Sequence, residues 1–390
     1  MNIQVQPRSD TVKRALPFEC VALVLQGGGA LGAYQAGVYE ALAEARIDPD
    51  WIAGISIGAI NAAIIAGNPP QSRVDRLREF WSEVTSGGPW SGLSNAGSDF
   101  AKGEMARNLL NQISAGLALA TGASGFFAAR PMPPWFQPAG TVEATSFYDT
   151  SVLRRTLERL IDFDRLNAGR TRFSIGAVNV RTGNFTYFDS DNHIIGPEHV
   201  MASGALPPGF PPIEIEGEHY WDGGVVSNTP LEWVVNSEPR CDTLAFQVDL
   251  WNARGALPRT MLEVMTREKE IRYSSRTRAG TDQFKHIQKL RRAAASLLEK
   301  LPPNLRDSPE AKLLGTAADR KVYNIVQLIY RARNHEGHSK DYEFSRLSMQ
   351  EHWRAGYHDA RRTLRHPEVL QRPTNHEGVF TFDLGYDGRE

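Results

Sequence analysis

Two stretches decide how this chain folds: CVALVLQGGGALG at residues 20–32 and WIAGISIG at residues 51–58. Each is a short apolar run that passes through glycines into a helix-like run. Residues 20–25 are apolar and rich in β-branched side chains, which predicts a fully buried strand. Residues 30–45 predict a helix with Leu31, Tyr34, Val38 and Leu42 on one face, and Pro49 breaks it. Residues 51–55 predict a second strand that ends at Ser56. Residues 57–66 are alanine-rich and almost wholly apolar, a helix that must be buried, and Gly67-Asn68-Pro69-Pro70 ends it. Strand, glycine turn, helix, strand, serine turn, helix is an α/β pattern with a parallel sheet.

Further along, residues 72–85 read as an exposed helix. Residues 86–146 are rich in Gly, Ala, Ser and Pro, with a weakly polar helix at 108–120 and aromatic loops at 125–127 and 131–136. An insertion of this kind is usually functional, and it is read as an apolar cap over the site. Residues 150–161 predict an amphipathic helix with Leu153, Leu157, Leu160 and Ile161 inward. Residues 173–180 and 184–188 predict a strand pair, 197–203 a short helix, 219–221 a short strand and 244–248 a buried strand. Beyond Pro258 the chain is mostly helical, at 260–279, 283–300 and 347–365, with a strand-like run at 322–330. The expected organisation is a flexible tail at 1–17, a catalytic domain at 18–255, a basic helical extension at 256–366 and a poorly packed tail at 367–390.

The 390 residues include 41% hydrophobic and 23% charged side chains, the composition of a globular protein with a sizeable core. The net charge of -1 argues against nucleic acid as a partner. Residues 259–365 carry about ten more basic than acidic side chains. A solvated helical face explains that excess, with contact to anionic lipid headgroups as the alternative. Cys20 and Cys241 are too few for a disulfide framework and read as buried thiols. The first residues lack an apolar signal segment and no run is long enough to span a membrane, so a cytoplasmic location is expected, peripheral at a membrane or lipid-granule surface as the alternative.

The chemistry lies in the turns. Gly54-Ile55-Ser56-Ile57-Gly58 fits an elbow that exposes a serine hydroxyl at the N-terminus of a buried helix. The helix dipole there favours a developing oxyanion. Gly27, Gly28 and Gly29 can bring backbone N–H groups close to a negative charge. Gly27, Gly29 and Gly32 also match a dinucleotide fingerprint, with Asp48 and Asp50 at the distance of a ribose-binding acid. Both acids precede the second strand, however, and its C-terminal end carries Ser56. None of the ten histidines sits in a comparably marked turn. The marked acid is Asp222, followed by Gly223 and Gly224 in the stretch DGGVVSNTP. On sequence physics alone an ordinary turn aspartate is the simpler reading. To act as a base it would need burial that raises its pKa, and contact with Ser56.

Gly27–Gly32, Gly54–Gly58 and Asp222–Gly224, in this order, resemble the three signatures of the patatin-like phospholipases. The run ASGALP at 202–207, leading to Phe210-Pro211-Pro212, is similar to the segment preceding the acid in bacterial members. The resemblance implies a three-layer α/β/α sandwich around a mainly parallel sheet. It implies a Ser–Asp dyad without histidine: Ser56 as nucleophile, Asp222 as base and the backbone of Gly27, Gly28 and Gly29 as oxyanion hole, helped by Ile57. No cofactor and no metal is implied. Many members carry Arg or Lys where this chain has Leu31, which removes a cation near that hole. Residues 322–330 and 339–345 resemble an extension in a bacterial subgroup; Tyr342-Glu343-Phe344-Ser345 and His352-Trp353 read as a packing cluster against the catalytic domain, with a partner or granule surface as the alternative. The resulting expectation is a serine acyl hydrolase of lipid esters. Alternatives are a hydrolase of short-chain polyester or storage lipid, a dinucleotide-binding oxidoreductase, and a lipid-surface binding protein with an inactive site.

Overall fold

The computed structural model describes residues 14–86, 104–274, 277–332 and 336–386. Most of the expected N-terminal tail and the first part of the insertion lie outside these residues. The first half of the chain runs β1 (Cys20–Leu25), α1 (Ala33–Glu44), β2 (Trp51–Gly54), α2 (Ile57–Ala66) and α3 (Arg73–Val84). The insertion contributes α4 (Glu104–Thr121) and the short strands β3 (Gly122–Ala123) and β4 (Phe127–Ala129), and β4 pairs with β5 (Tyr148–Asp149) just beyond it. Then follow α5 (Ser151–Leu160), β6 (Arg172–Asn179), β7 (Phe185–Asp189), α6 (Pro197–Ser203), β8 (Ile213–Ile215) and β9 (Glu218–Asp222). The remainder includes α7 (Leu231–Asn236), β10 (Thr243–Asp249), α8 (Met261–Tyr273), α9 (Thr277–Lys300), β11 (Tyr323–Ile329), α10 (Arg346–Thr363) and β12 (Val379–Phe382).

The main sheet has the order β12-β11-β10-β1-β2-β6-β9-β8, with β7 also on β6. From β12 to β6 every pairing is parallel, while β7, β8 and β9 join antiparallel. Strand β1 shows why the sheet needs helices on both faces. Its Val21, Leu23 and Leu25 enter a core with α1, α2 and α3, while Cys20, Ala22 and Val24 enter a second core with Leu231 and Val234 of α7 and Phe284 of α9. Each Val, Leu and Phe side chain among them contributes about 1.5–3 kcal/mol on burial. The fold is therefore an α/β sandwich with a mostly parallel central sheet and further helices in its C-terminal part. All ten residues of α2 are buried, as its apolar composition requires.

Three readings change. Helix α3 is amphipathic rather than exposed: Leu77, Phe80, Trp81 and Val84 are buried and only the opposite face is charged. Their spacing is that of a helix face, which the surrounding Arg and Glu residues obscured. The last stretch is not a poorly packed tail. Val379 pairs in register with Tyr323, and Val369 and Leu370 are buried. Strand β12 is the short, β-prone run Val379-Phe380-Thr381-Phe382, which pairs in parallel with the edge of β11. Cys20 is buried but Cys241 only half-buried. Within residues 256–366, β11 adds a strand to the main sheet and α10 packs on α1. Helices α1 and α10 meet at two glycines, since a Cβ on Gly37 would lie 1.9 Å from the Trp353 carbonyl oxygen and one on Gly356 2.0 Å from that of Tyr34. The insertion is anchored by rings: Phe126 and Phe127 are buried against Phe210 and Phe344 at centroid distances of 5.2–5.9 Å. Among the described residues no helix is long and apolar enough to cross a membrane.

Candidate active site

The site forms where β1 and β2 end, at the C-terminal edge of the parallel strands, the usual position for ligands in such sheets. Strand β2 breaks after Gly54 and α2 begins at Ile57, leaving Ser56 at φ 56, ψ -126. A residue with a side chain adopts such a backbone only when its surroundings hold it there. Here the Ile55 N–H donates to the Leu25 carbonyl at 3.1 Å and the Ser56 N–H to Ser203 Oγ at 3.1 Å. Ser203 is fully buried at the end of α6 and donates in turn to the Gly176 carbonyl at 2.7 Å. The flanking glycines are demanded by contact. A Cβ on Gly54 would lie 2.4 Å from the Gly58 carbonyl oxygen, and one on Gly58 2.3 Å from that of Leu25. Gly32 meets the same helix, since a Cβ there would lie 2.5 Å from Ile57.

The glycine turn lies beside the elbow: a Cβ on Gly27 would stand 3.0 Å from the Ser56 Cβ. Gly27 itself is fully engaged. Its N–H donates to the Asn228 carbonyl at 3.3 Å, and its carbonyl accepts from Asn228 Nδ2 at 3.1 Å and Trp251 Nε1 at 3.0 Å. The expectation that Gly27 supplies an oxyanion donor is corrected accordingly, because its amide already has an acceptor. The N–H groups of Gly28, Gly29 and Ile57 have no acceptor among the described residues. Leu31, at the position where a cation was considered, is fully buried in the core.

Asp222 ends β9, in register with Ala177 of β6. Its N–H donates to the Ala205 carbonyl at 3.0 Å, and its Oδ1 accepts the Gly224 N–H at 2.7 Å. Gly223 is pressed on β6, since a Cβ there would lie 2.6 Å from the Gly176 carbonyl oxygen. Asp222 is 1% exposed, and its Oδ2 accepts no hydrogen bond of good geometry among the described residues. Burial pushes its pKa up to about 7, while the nearby Ser56 hydroxyl and the Gly224 amide act to lower it. A carboxylate titrating near neutrality beside a hydroxyl is matched to accept that hydroxyl's proton. His193, before α6, and His199, within it, pack edge-on against Phe188.

The two acids of the dinucleotide pattern are occupied elsewhere. Asp48 pairs with the buried Arg73, and Asp50 accepts the Val21 N–H at 2.9 Å. Both stand before β2, at the opposite end of the strand from the glycine turn.

Several residues of the site escaped the sequence reading. Gln26 Oε1 accepts the N–H groups of Leu250 and Trp251 at 2.6 and 3.0 Å. The carbonyl of Tyr273 accepts from Gln26 Nε2 at 3.2 Å and from Asn228 Nδ2 at 2.7 Å. The carbonyl of Asp341 accepts the Ala30 N–H at 2.7 Å. Ser203 and Asn228 lie within stretches that stood out, yet nothing in their spacing declared a role. Backbone acceptors such as Tyr273 and Asp341 leave no signal in residue type at all.

A family model described as patatin-like phospholipase matches residues 23–234, and one described as patatin phospholipase matches residues 271–376. Patatin-like phospholipase domain-containing protein 7 of Rattus norvegicus is 43% identical over 70 residues, covering 18% of this chain and 5% of that protein. Lysophospholipase nte1 of Aspergillus terreus is 55% identical over 53 residues, covering 14% of this chain and 4% of that protein. The matched stretches are thus a small part of these relatives' length. Among solved structures, VipD from Legionella pneumophila aligns with a TM-score of 0.39 and 16% identity, over 98% of this chain and 78% of that one.

Proposed function

The chain belongs to the patatin-like phospholipase family, and from that premise we propose that it is a serine acyl hydrolase acting on carboxylic esters of lipids. The observation that supports this most is the fully buried Asp222 carboxyl, raised to about 7, with the Ser56 hydroxyl acting on it. In this reading Asp222 takes the proton as Ser56 Oγ attacks the acyl carbonyl. The oxyanion rests on the open amides of Gly28, Gly29 and Ile57, each worth about 3–4 kcal/mol in comparable sites. The alcohol leaves with the proton returned from Asp222. Water then gives a proton to Asp222 as its oxygen attacks the acyl carbonyl, and Asp222 passes that proton to Ser56 Oγ as the acyl–Oγ bond breaks and the acid leaves. Phe126, Phe127, Phe210 and Phe344 pack the insertion against the catalytic core, which supports its reading as a cap. Trp135 and Phe136 stand 77% and 74% exposed on that insertion, which supports a peripheral position at a lipid surface.

Labelling by a fluorophosphonate tests the chemistry. Wild type is expected to label, and Ser56→Ala and Asp222→Asn not to. A wild type that stays unlabelled while a control serine hydrolase reacts would sink the proposal. Rates on phospholipid vesicles, p-nitrophenyl esters and hydroxybutyrate oligomers then separate phospholipid from polyester substrates.

A further inference from the structure

A turn of three glycines has no side chains with which to hold itself, and ordering it costs more backbone entropy than any other sequence. Its grips are therefore informative. On the Gly27 side they are Asn228 and Trp251. On the Gly29–Ala30 side the grip is the carbonyl of Asp341, which accepts the Ala30 N–H at 2.7 Å. Gly29, at φ +55, is so close to it that a Cβ would lie 2.1 Å from that oxygen. Two lysines fix the Asp341 peptide. Lys269 of α8 pairs with Asp341 Oδ1 at 2.6 Å, with side chains only 16% and 17% exposed. Lys340, nearly buried, pairs with Glu270 of the same helix at 2.5 Å. Both ammonium groups also lie over the Trp251 ring, at 5.8 and 5.3 Å from its centroid. Trp251 is the residue whose indole N–H holds the Gly27 carbonyl. The two grips on the turn are thus coupled through one ring and one helix.

We propose that the Lys269–Asp341 pair positions the oxyanion hole, so that α8 and residues 339–343 belong to the catalytic machinery rather than to an appendage. Lys269 touches no reacting atom. It holds the backbone that sets where the Gly28 and Gly29 amides point. Displacing such donors by about 1 Å costs on the order of 10²-fold in rate. The proposal rests on the serine hydrolase reading above.

The test compares Lys269→Met, Lys269→Arg and Asp341→Asn with Lys312→Met, whose side chain is exposed in a loose pair with Asp307. The substrate is a short p-nitrophenyl ester, and a trifluoromethyl ketone serves as mimic of the tetrahedral adduct. Lys269→Met and Asp341→Asn are expected to lower kcat about 10- to 100-fold with KM unchanged. Ketone affinity should fall by the same factor, and Lys269→Arg should recover most of it. Lys312→Met should match wild type. Unchanged kcat in both pair variants overturns the proposal. So does a loss that appears in KM alone or leaves ketone affinity intact. Asp341→Asn keeps the carbonyl and the shape, and carries the test if Lys269→Met fails to fold. Failure of the underlying reading shows separately, as absent fluorophosphonate labelling of wild type.

Discussion

The serine elbow and the glycine turn touch at Gly27 and Ser56, yet they are assembled from opposite kinds of contact. The elbow is mostly local: β2 delivers Ser56, α2 receives it, and Gly54 and Gly58 let helix and strand pack without side chains between them. The glycine turn is held from afar, by Asn228 and Trp251, 201 and 224 positions away, and by the Asp341 carbonyl. The difference teaches that the proposed nucleophile belongs to the first few elements, whereas the proposed oxyanion hole beside it depends on segments far along the chain. Faults in the two should therefore fail differently.

The largest expected effects lie on the reacting groups. Ser56→Ala should reduce ester hydrolysis by about 10⁴-fold or more with the fold intact, as removal of a nucleophile does elsewhere. Asp222→Asn should come close to it. In wild type the acid limb of kcat/KM should fall at about pH 7, since the base must be ionised and its pKa is raised to about 7. An acid limb near pH 4 would separate Asp222 from the chemistry.

Glycine substitutions sharpen the comparison next. Gly58→Ala drives a Cβ to 2.3 Å from a β1 carbonyl in the middle of the core, so it should compromise folding itself. Gly29→Ala drives one to 2.1 Å from Asp341 and strains a left-handed backbone, but at the half-buried rim of the site. It should leave a folded protein by circular dichroism while activity falls about 10²-fold through the displaced amides. Equal unfolding by both would erase the distinction drawn between elbow and turn.

What could be read from the sequence follows the same division. The wholly apolar β1, the almost wholly apolar α2 and the two glycine turns were visible because each is written within a few residues. Asp222 was visible as a marked acid, but its pairing with Ser56 came from resemblance, since spacing alone does not bring two distant turns together. Gly27 was misjudged as a donor because nothing local shows that Asn228 would claim its amide. Asp341 was invisible for a simpler reason: it acts on Ala30 through its carbonyl, and every residue has one. The charged flank of α3 hid a helix face at Leu77, Phe80, Trp81 and Val84 whose period was in plain view.

A smaller effect concerns stability. Asp222 titrates at about 7 in the folded protein against 3.8 for the free side chain, chiefly because it is buried. The native state therefore holds a proton that the unfolded chain releases between these values. Sign follows directly: the group costs nothing below about pH 4, and stability is lost as pH rises through 7. The full cost is on the order of a few kcal/mol, since each pKa unit is about 1.4 kcal/mol. Asp222→Asn removes the charge and keeps an oxygen for the Gly224 amide. Its midpoint in urea should exceed that of wild type, by an amount that grows from pH 5 to pH 7 and then levels. A constant difference across that range would mean the carboxyl is not buried as described.

The smallest expected effect tests the one part of the elbow that is not local. Ser203 accepts the Ser56 N–H and donates to the Gly176 carbonyl, tying the end of α6 to both β6 and the strained turn. Ser203→Ala leaves two buried backbone groups without a partner, which should cost about 1–3 kcal/mol in urea unfolding. If the elbow were held wholly by Gly54, Gly58 and α2, kcat would not change beyond that loss of stability. If Ser203 helps to keep Ser56 at its positive φ, kcat should fall by a few-fold while KM stays constant. Because Ser203 and Asn228 share no hydrogen-bond partner, two independently held pieces predict additive stability losses when Ser203→Ala is combined with Asn228→Ala. Non-additivity would mean that elbow and turn are one mechanical unit after all, and the contrast between them would need to be redrawn around Ser56 and Gly27, where they meet.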